Sequence, residues 1–129
     1  MIYGIGTDIV NISRLEKGED FLNRFIKRCL SANEQQYMQN RALFDTQARI
    51  LYVAKRFAAK EAVSKALGTG FRDGIYLADI EIISDEWGKP FVELKANALL
   101  RAKNIGIKKI HLTLSDDAPF VAATAVAEM

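Results

Sequence analysis

The stretch RFAAKEAVSKALGTG sets Arg56 and Lys60 four residues apart and Glu61 and Lys65 four apart, so each pair shares one face of a helix formed there. Three cations then surround a single carboxylate beside a glycine-rich exit. Exposed pairs of this kind contribute only about 0.3–0.5 kcal/mol each. Phe57, Ala58 and Ala62 make the segment apolar, however, and favour an ion-lined cleft over a set of surface pairs. A second acid, Asp8, falls inside the apolar run GIGTDIV, where an unpaired carboxylate is costly to bury. Its partner is either a lysine or arginine in a buried salt bridge, or a metal ion shared with another carboxylate such as Glu61. Two carboxylates completed by phosphate oxygens and water make the all-oxygen octahedral site that Mg²⁺ prefers. Cations alongside would hold the remaining phosphate charge.

Other patterns carry less. GIGTD lacks the third glycine and the following helix of a dinucleotide fingerprint, and LGTG follows a helix where a phosphate-binding loop precedes one. His111 is the single histidine and sits in an expected strand, so no Ser-His-Asp set can be specified. Trp87 next to Gly88, Lys89 and Pro90 reads as a hairpin tip, although a flat aromatic and free amides also suit a base. Asp116 and Asp117 read as turn residues. Cys29, in FIKRCL, reads as a small buried hydrophobe.

The elements that must position these residues follow from periodicity. Ile2, Ile5, Ile9, Val10 and Ile12, interrupted by Gly4 and Gly6, predict a largely buried first strand delivering Thr7 and Asp8. Ser13 is a candidate N-cap for a short helix, and Phe21, Leu22, Phe25 and Ile26 mark a second that ends near Leu30. Ser31 and Glu34 have the spacing of a capping box, which starts a third helix towards Arg41. Arg14, Lys17, Arg24, Lys27 and Arg28 gather the early positive charge here, with Arg24 and Arg28 on one face; alone, they read as a solvated surface. From about Thr46 to Leu67 there is no Pro or Gly, and Ala54, Ala58, Ala62 and Ala66 recur every four residues. This predicts a long central helix with a bulk-free stripe that permits close packing. Strands around Ile80 and Ile82 and through Phe91, Val92 and Leu94 form a hairpin across Asp85 to Pro90. A helix from about Asn97 to Asn104 precedes strands at Lys109 to Leu114 and Phe120 to Ala127, flanking a turn at Ser115, Asp116 and Asp117. The order specifies an α+β fold, an antiparallel sheet packed around the long helix.

The 129 residues suffice for one domain spanning 1–129 with its own core. Half the residues are apolar and 26% charged, which excludes disordered and fibrous classes. A net charge of +2 offers none of the dense positive surface of a general nucleic-acid binder. One cysteine forbids an internal disulfide, and the start MIYGIGTDIV resembles neither signal nor transit peptide. With no apolar run of membrane-spanning length, the expectation is a cytoplasmic protein.

Taken together, GIGTDIV followed by Arg14, then RFAAKEAVSKALGTG, then GKP resemble, in order and spacing, the holo-acyl-carrier-protein synthases, a family of 4′-phosphopantetheinyl transferases. The likeness runs from Met1 to the closing VAATAVAEM. It implies transfer of the phosphopantetheine arm of coenzyme A to a serine of apo-acyl carrier protein, releasing adenosine 3′,5′-bisphosphate, in fatty-acid biosynthesis. By the same resemblance Asp8 and Glu61 hold Mg²⁺ and Lys65 neutralises the pyrophosphate, these three being the catalytic set. Arg56 and Lys60 line the same charged region, Gly68 and Gly70 let coenzyme A approach the backbone, and Gly88, Lys89 and Pro90 lie near its adenine. Arg14, Arg24 and Arg28 dock the acidic carrier, and the resemblance implies a homotrimer whose active sites lie between subunits. One departure stands out, because many relatives have a histidine after a Ser/Thr in the last turn where this chain has Ser115 and Asp116. His111 is not its equivalent. The serine proton then passes to a metal-associated water or to Asp8, with Asp116 as the alternative base.

Overall fold

A computed structural model of the chain describes residues 1–41 and 45–129. The first strand, β1 (Ile2–Asn11), leads through a 3₁₀ turn (Ile12–Leu15) to helices α1 (Glu19–Cys29), α2 (Ala32–Asn40) and α3 (Thr46–Ala66). A second 3₁₀ turn (Leu77–Asp79) opens the hairpin β2 (Ile80–Ser84) and β3 (Pro90–Leu94). Helix α4 (Ala96–Ile105) and the hairpin β4 (Lys109–Asp117) and β5 (Phe120–Glu128) complete the chain. The strands form two antiparallel sheets, β1-β5-β4 and β2-β3, and α3 packs on the first while also meeting β2. This is the α+β arrangement expected, with the long helix at its centre.

Local chemistry sets the element ends. Ser31 Oγ accepts from the Glu34 N–H at 3.1 Å while Glu34 Oε1 accepts from the Ser31 N–H at 2.9 Å, the reciprocal capping box. Asp45 caps α3 through the Ala48 N–H at 3.0 Å. Helix α4 stops where Gly106 takes φ +81°, a left-handed conformation that glycine adopts without strain.

Small residues decide how closely the layers approach. Ala54, Ala58, Ala62 and Ala66 are all buried, as are Ala123, Ala125 and Ala127 on the inner face of β5. A Cβ on Gly4 would collide with the Ala66 carbonyl, and one on Gly6 with the Ala62 carbonyl, and would also come 2.8 Å from the Ala66 nitrogen. The strand backbone therefore lies directly on the α3 backbone, which no side chain on β1 would permit.

Three expectations need correction. Strand β1 is not largely buried: Ile5 and Ile9 are 69% and 64% exposed, because β1 is an edge strand covered by α3 on one face only. Asn11 rather than Ser13 caps the first turn, its Oδ1 accepting from the Ser13 N–H at 3.0 Å. Ser115, Asp116 and Asp117 belong to β4, since the ladder continues through Ser115↔Ala122, Asp116↔Val121 and Asp117↔Phe120; the chain reverses at Ala118 and Pro119.

The small sheet is tied down by a buried acid. Glu81 accepts from Asn33 Nδ2 at 3.2 Å and Lys95 Nζ at 3.1 Å. Burial raises its affinity for a proton, but hydrogen bonds from Ser31, Asn33 and Lys95 outweigh that and hold the carboxyl below its usual 4.5. The stabilisation from a lowered carboxyl is complete above the unfolded value and is lost as pH falls through the folded one.

Two outcomes are expected. Gly6→Ala should destabilise the protein by about 3 kcal/mol in urea unfolding, because it overpacks backbone against backbone. Glu81→Gln should be less stable than the parent at neutral pH, and the gap between the two should narrow as pH drops below about 4.5.

Candidate functional site

Packing β1 on α3 brings the first acid to the second. Alternation along β1 sends Gly4, Gly6, Asp8 and Val10 to the inner face, so Asp8 leaves the strand beside the exit end of α3. There Lys65 Nζ donates to the Thr7 carbonyl at 2.8 Å and lies 3.3 Å from Asp8 Oδ1. Of the two partners open to Asp8, a cation is the one this chain itself supplies. Its side chain is 17% exposed, that of Lys65 49%, so the pair sits at an accessible edge.

Glu61, one turn earlier on α3, reaches the same place. Its carboxyl is pushed above its usual value, first by burial and then by the Asp8 charge, against the opposing pull of Lys65 and Arg14. Two acids that repel one another beside a lysine form a hard, all-oxygen donor set that a divalent cation would relieve. Among the described residues no three His, Cys, Asp or Glu side chains cluster into a complete metal cage, so substrate oxygens or water would have to finish the coordination.

Glu61 also lines a cleft of about 1050 Å³ that opens between α1 and the segment 74–77. One wall carries Arg14, Arg24 and Arg28, and the floor is aromatic, with Phe21, Phe25, Phe57 and Phe71. Phe25 and Phe57 meet edge to face at 5.2 Å, and the Arg14 guanidinium sits 6.0 Å over the Phe57 ring. The arginines expected as a partner-binding cluster thus share one cleft, and Glu61 joins them.

Two other cations turn away from it. Lys60 is fully buried, with Nζ 2.6 Å from Glu34 Oε1 and 2.9 Å from the Leu77 carbonyl, so it does not line the charged region with Lys65 as its spacing suggested. Consecutive helical residues point about 100° apart, and α3 directs Glu61 to the cleft and Lys60 to the core. Arg56 is also buried, donating to Ser84 Oγ at 3.2 Å and stacked 4.6 Å from the Tyr52 ring centre. Its Nε has no hydrogen-bond partner.

The segments that carry Gly68, Gly70 and Gly88 are not part of the cleft lining. Gly68 and Gly70 follow α3, with open space beside Gly70. At the β2–β3 tip, Asp85 Oδ1 accepts from the Trp87 and Lys89 N–H groups at 2.9 and 2.8 Å, which shapes the turn through Gly88 and Pro90. Trp87 is 86% exposed there. Asp116 pairs with Lys55 at 3.3 Å, and β5 separates its strand from that of Asp8. Asp116 is in register with Val10 rather than with Asp8, so two strand steps of about 4.8 Å and two residues of about 3.3 Å set their backbones about 12 Å apart within one chain.

A profile of the 4′-phosphopantetheinyl transferase superfamily matches residues 4–125. The chain belongs to that superfamily. As a phosphopantetheinyl transferase it is similar to the holo-[acyl-carrier-protein] synthase of Clostridium kluyveri, with 46% identity over 129 residues, 100% of this chain and 92% of that one. The crystal structure of the Neisseria meningitidis holo-[acyl-carrier-protein] synthase superposes with a TM-score of 0.88 at 37% identity, covering 100% of both chains. The Helicobacter pylori holo-[acyl-carrier-protein] synthase, solved in complex with coenzyme A, gives 0.78 at 31% identity over 96% of this chain and 99% of that one.

The aromatic floor and the Gly74 to Leu77 wall had no functional signal in the sequence. Phe21 and Phe25 register there only as helical periodicity, and Glu34 only as a capping acid. What pairs Glu34 with Lys60 is a contact between residues 26 apart in the chain.

Proposed function

We propose that this member of the superfamily transfers the 4′-phosphopantetheine of coenzyme A to a serine of an apo-acyl carrier protein, in a Mg²⁺-dependent reaction serving fatty-acid synthesis in the cytoplasm. The observation that carries the reading is the convergence of Asp8, Glu61 and Lys65 at the edge of an arginine-lined cleft. The coenzyme A complex of the Helicobacter pylori relative supports the choice of donor.

In this reading Asp8 and Glu61 would hold the metal. When bound, Mg²⁺ supplies charge stabilisation for the pyrophosphate as the bond to its leaving oxygen breaks. Lys65, already within reach of Asp8, moves its charge to the phosphate oxygens. The serine oxygen forms the new bond to the β-phosphorus, the bond to adenosine 3′,5′-bisphosphate breaks, and the leaving oxygen keeps the electron pair. In this reading Asp8 would take the serine proton. Asp116 is less suited to that role from within the same chain, held by Lys55 beyond β5. Arg14, Arg24 and Arg28 dock the acidic face of the carrier, and the phenylalanine floor meets its apolar side.

Arg56 is 5% exposed and engaged by Ser84 and Tyr52, so its assignment to coenzyme A rests on the family resemblance alone. Gly68, Gly70, Gly88, Lys89 and Pro90 are assigned to the same substrate. The outer face of the β1-β5-β4 sheet supports a homotrimer with shared active sites. Ile5, Ile9 and Phe120 stand exposed on it, at 69%, 64% and 46%, beside the row Thr7, Thr124 and Thr113. A stripe of this kind on a small chain fits burial against further copies.

Incubation with coenzyme A, Mg²⁺ and apo-acyl carrier protein should add about 340 Da to the carrier, the mass of the transferred arm. Asp8→Ala and Glu61→Ala should each lower the rate at least about 100-fold while the carrier still binds. A carrier that binds the native protein without gaining mass would reject the assignment.

A further inference from the structure

Segment 74–77 forms the wall of the cleft that faces the arginines of α1. Ile75 is buried and Leu77 packs partly against the core, whereas Tyr76 is 70% exposed and Gly74 has no side chain. Polar ties add to that hold at both ends of the segment. At one end Asn97 Nδ2 donates to the Gly74 carbonyl at 3.1 Å, in the middle the Tyr76 N–H donates to Asp79 Oδ2 at 3.2 Å, and at the other end Lys60 Nζ donates to the Leu77 carbonyl at 2.9 Å.

The last tie is the unusual one, because it uses a lysine with no exposure at all. Glu34 balances that charge at 2.6 Å, and Glu34 is itself held by the Ser31 N–H on Oε1 and the Ile82 N–H on Oε2, both at 2.9 Å. One ion pair therefore links the start of α2, the middle of α3, the turn after Tyr76 and strand β2. Stability alone is a poor account of such a pair, since well-packed apolar replacements are often as stable or more so. An apolar pair, however, could not bind the Leu77 carbonyl or the Ile82 amide. Lys60 also directly precedes Glu61, so the helix turn that aims the acid into the cleft anchors the opposite wall.

We propose that the buried Lys60–Glu34 pair, together with Asn97, sets the distance between the 74–77 wall and the α1 arginines, and thereby the fit of the carrier protein in the cleft. These are positioning residues, and Lys60 meets neither substrate. The inference rests on the transfer reaction proposed above.

The test compares Asn97→Ala and Glu34→Gln/Lys60→Met with the native protein, with circular dichroism confirming the fold. The carrier KM should rise about threefold in Asn97→Ala and about tenfold in the double variant, with kcat held within about twofold. The KM for coenzyme A should stay unchanged, since Asp8, Glu61 and Lys65 are intact in both. Unchanged carrier KM values in the folded variants overturn the proposal, and if the double variant does not fold, Asn97→Ala decides alone. Failure of the transfer reading looks different, because the native protein then modifies no carrier. Calorimetric carrier binding, native against Asn97→Ala, still decides the role of the wall, with equal affinities counting against it.

Discussion

The contact on which the rest depends is backbone on backbone, with Gly4 and Gly6 of β1 lying against the carbonyls of Ala66 and Ala62 on α3. A strand normally rides on a helix through intervening side chains. Here the absence of two Cβ atoms lowers β1 onto the helix, so the next inward residue, Asp8, emerges beside the turn that carries Glu61 and Lys65. The alanine stripe is the other half of the same fit. A site made from two distant segments is thereby set by close packing, the most rigid constraint a fold offers.

That closeness has an electrostatic consequence. Asp8 raises the proton affinity of Glu61 while Lys65 restrains it, so the acids are held near each other with one cation between them and the solvent. In the proposed reading a divalent ion would take over what the lysine does and leave it for phosphate. Helix α3 separates this arrangement from a second set of charges. Lys60 and Arg56 share the helix with Glu61 yet face inward, one closing an ion pair and the other lying between Tyr52 and Ser84. Similar residue types a few positions apart thus do different work because of the angle at which they leave the helix.

This angle explains how much of the site was legible from the residues. Capping spacing, the unbroken run through α3 and the alanine period located α2 and α3 within about one residue, since each signal is local, whereas the first cap fell two residues away, at Asn11. A carboxylate inside an apolar strand already demands a partner, and the structure supplies Lys65 for Asp8; the roles of Asp8, Glu61 and Lys65 come from the family resemblance. Local pattern cannot report which cation faces which side of a buried helix, and it assigned Lys60 to the cleft. Nor could it report that β1 lies at an edge, which depends on sheet order, or that the last hairpin reverses at Ala118 and Pro119 rather than at the polar Ser115 to Asp117. The aromatic floor belongs to the same class, being assembled from α1, α3 and the loop after Gly70.

A crystal of the protein soaked with Mn²⁺ and coenzyme A, measured at a wavelength where manganese scatters anomalously, tests the central claim most directly. The account predicts one anomalous peak shared by the carboxylates of Asp8 and Glu61, with Lys65 Nζ moved off Asp8 and onto a phosphate oxygen. Coenzyme A bound with manganese elsewhere, or with Lys65 still paired to Asp8, would contradict it.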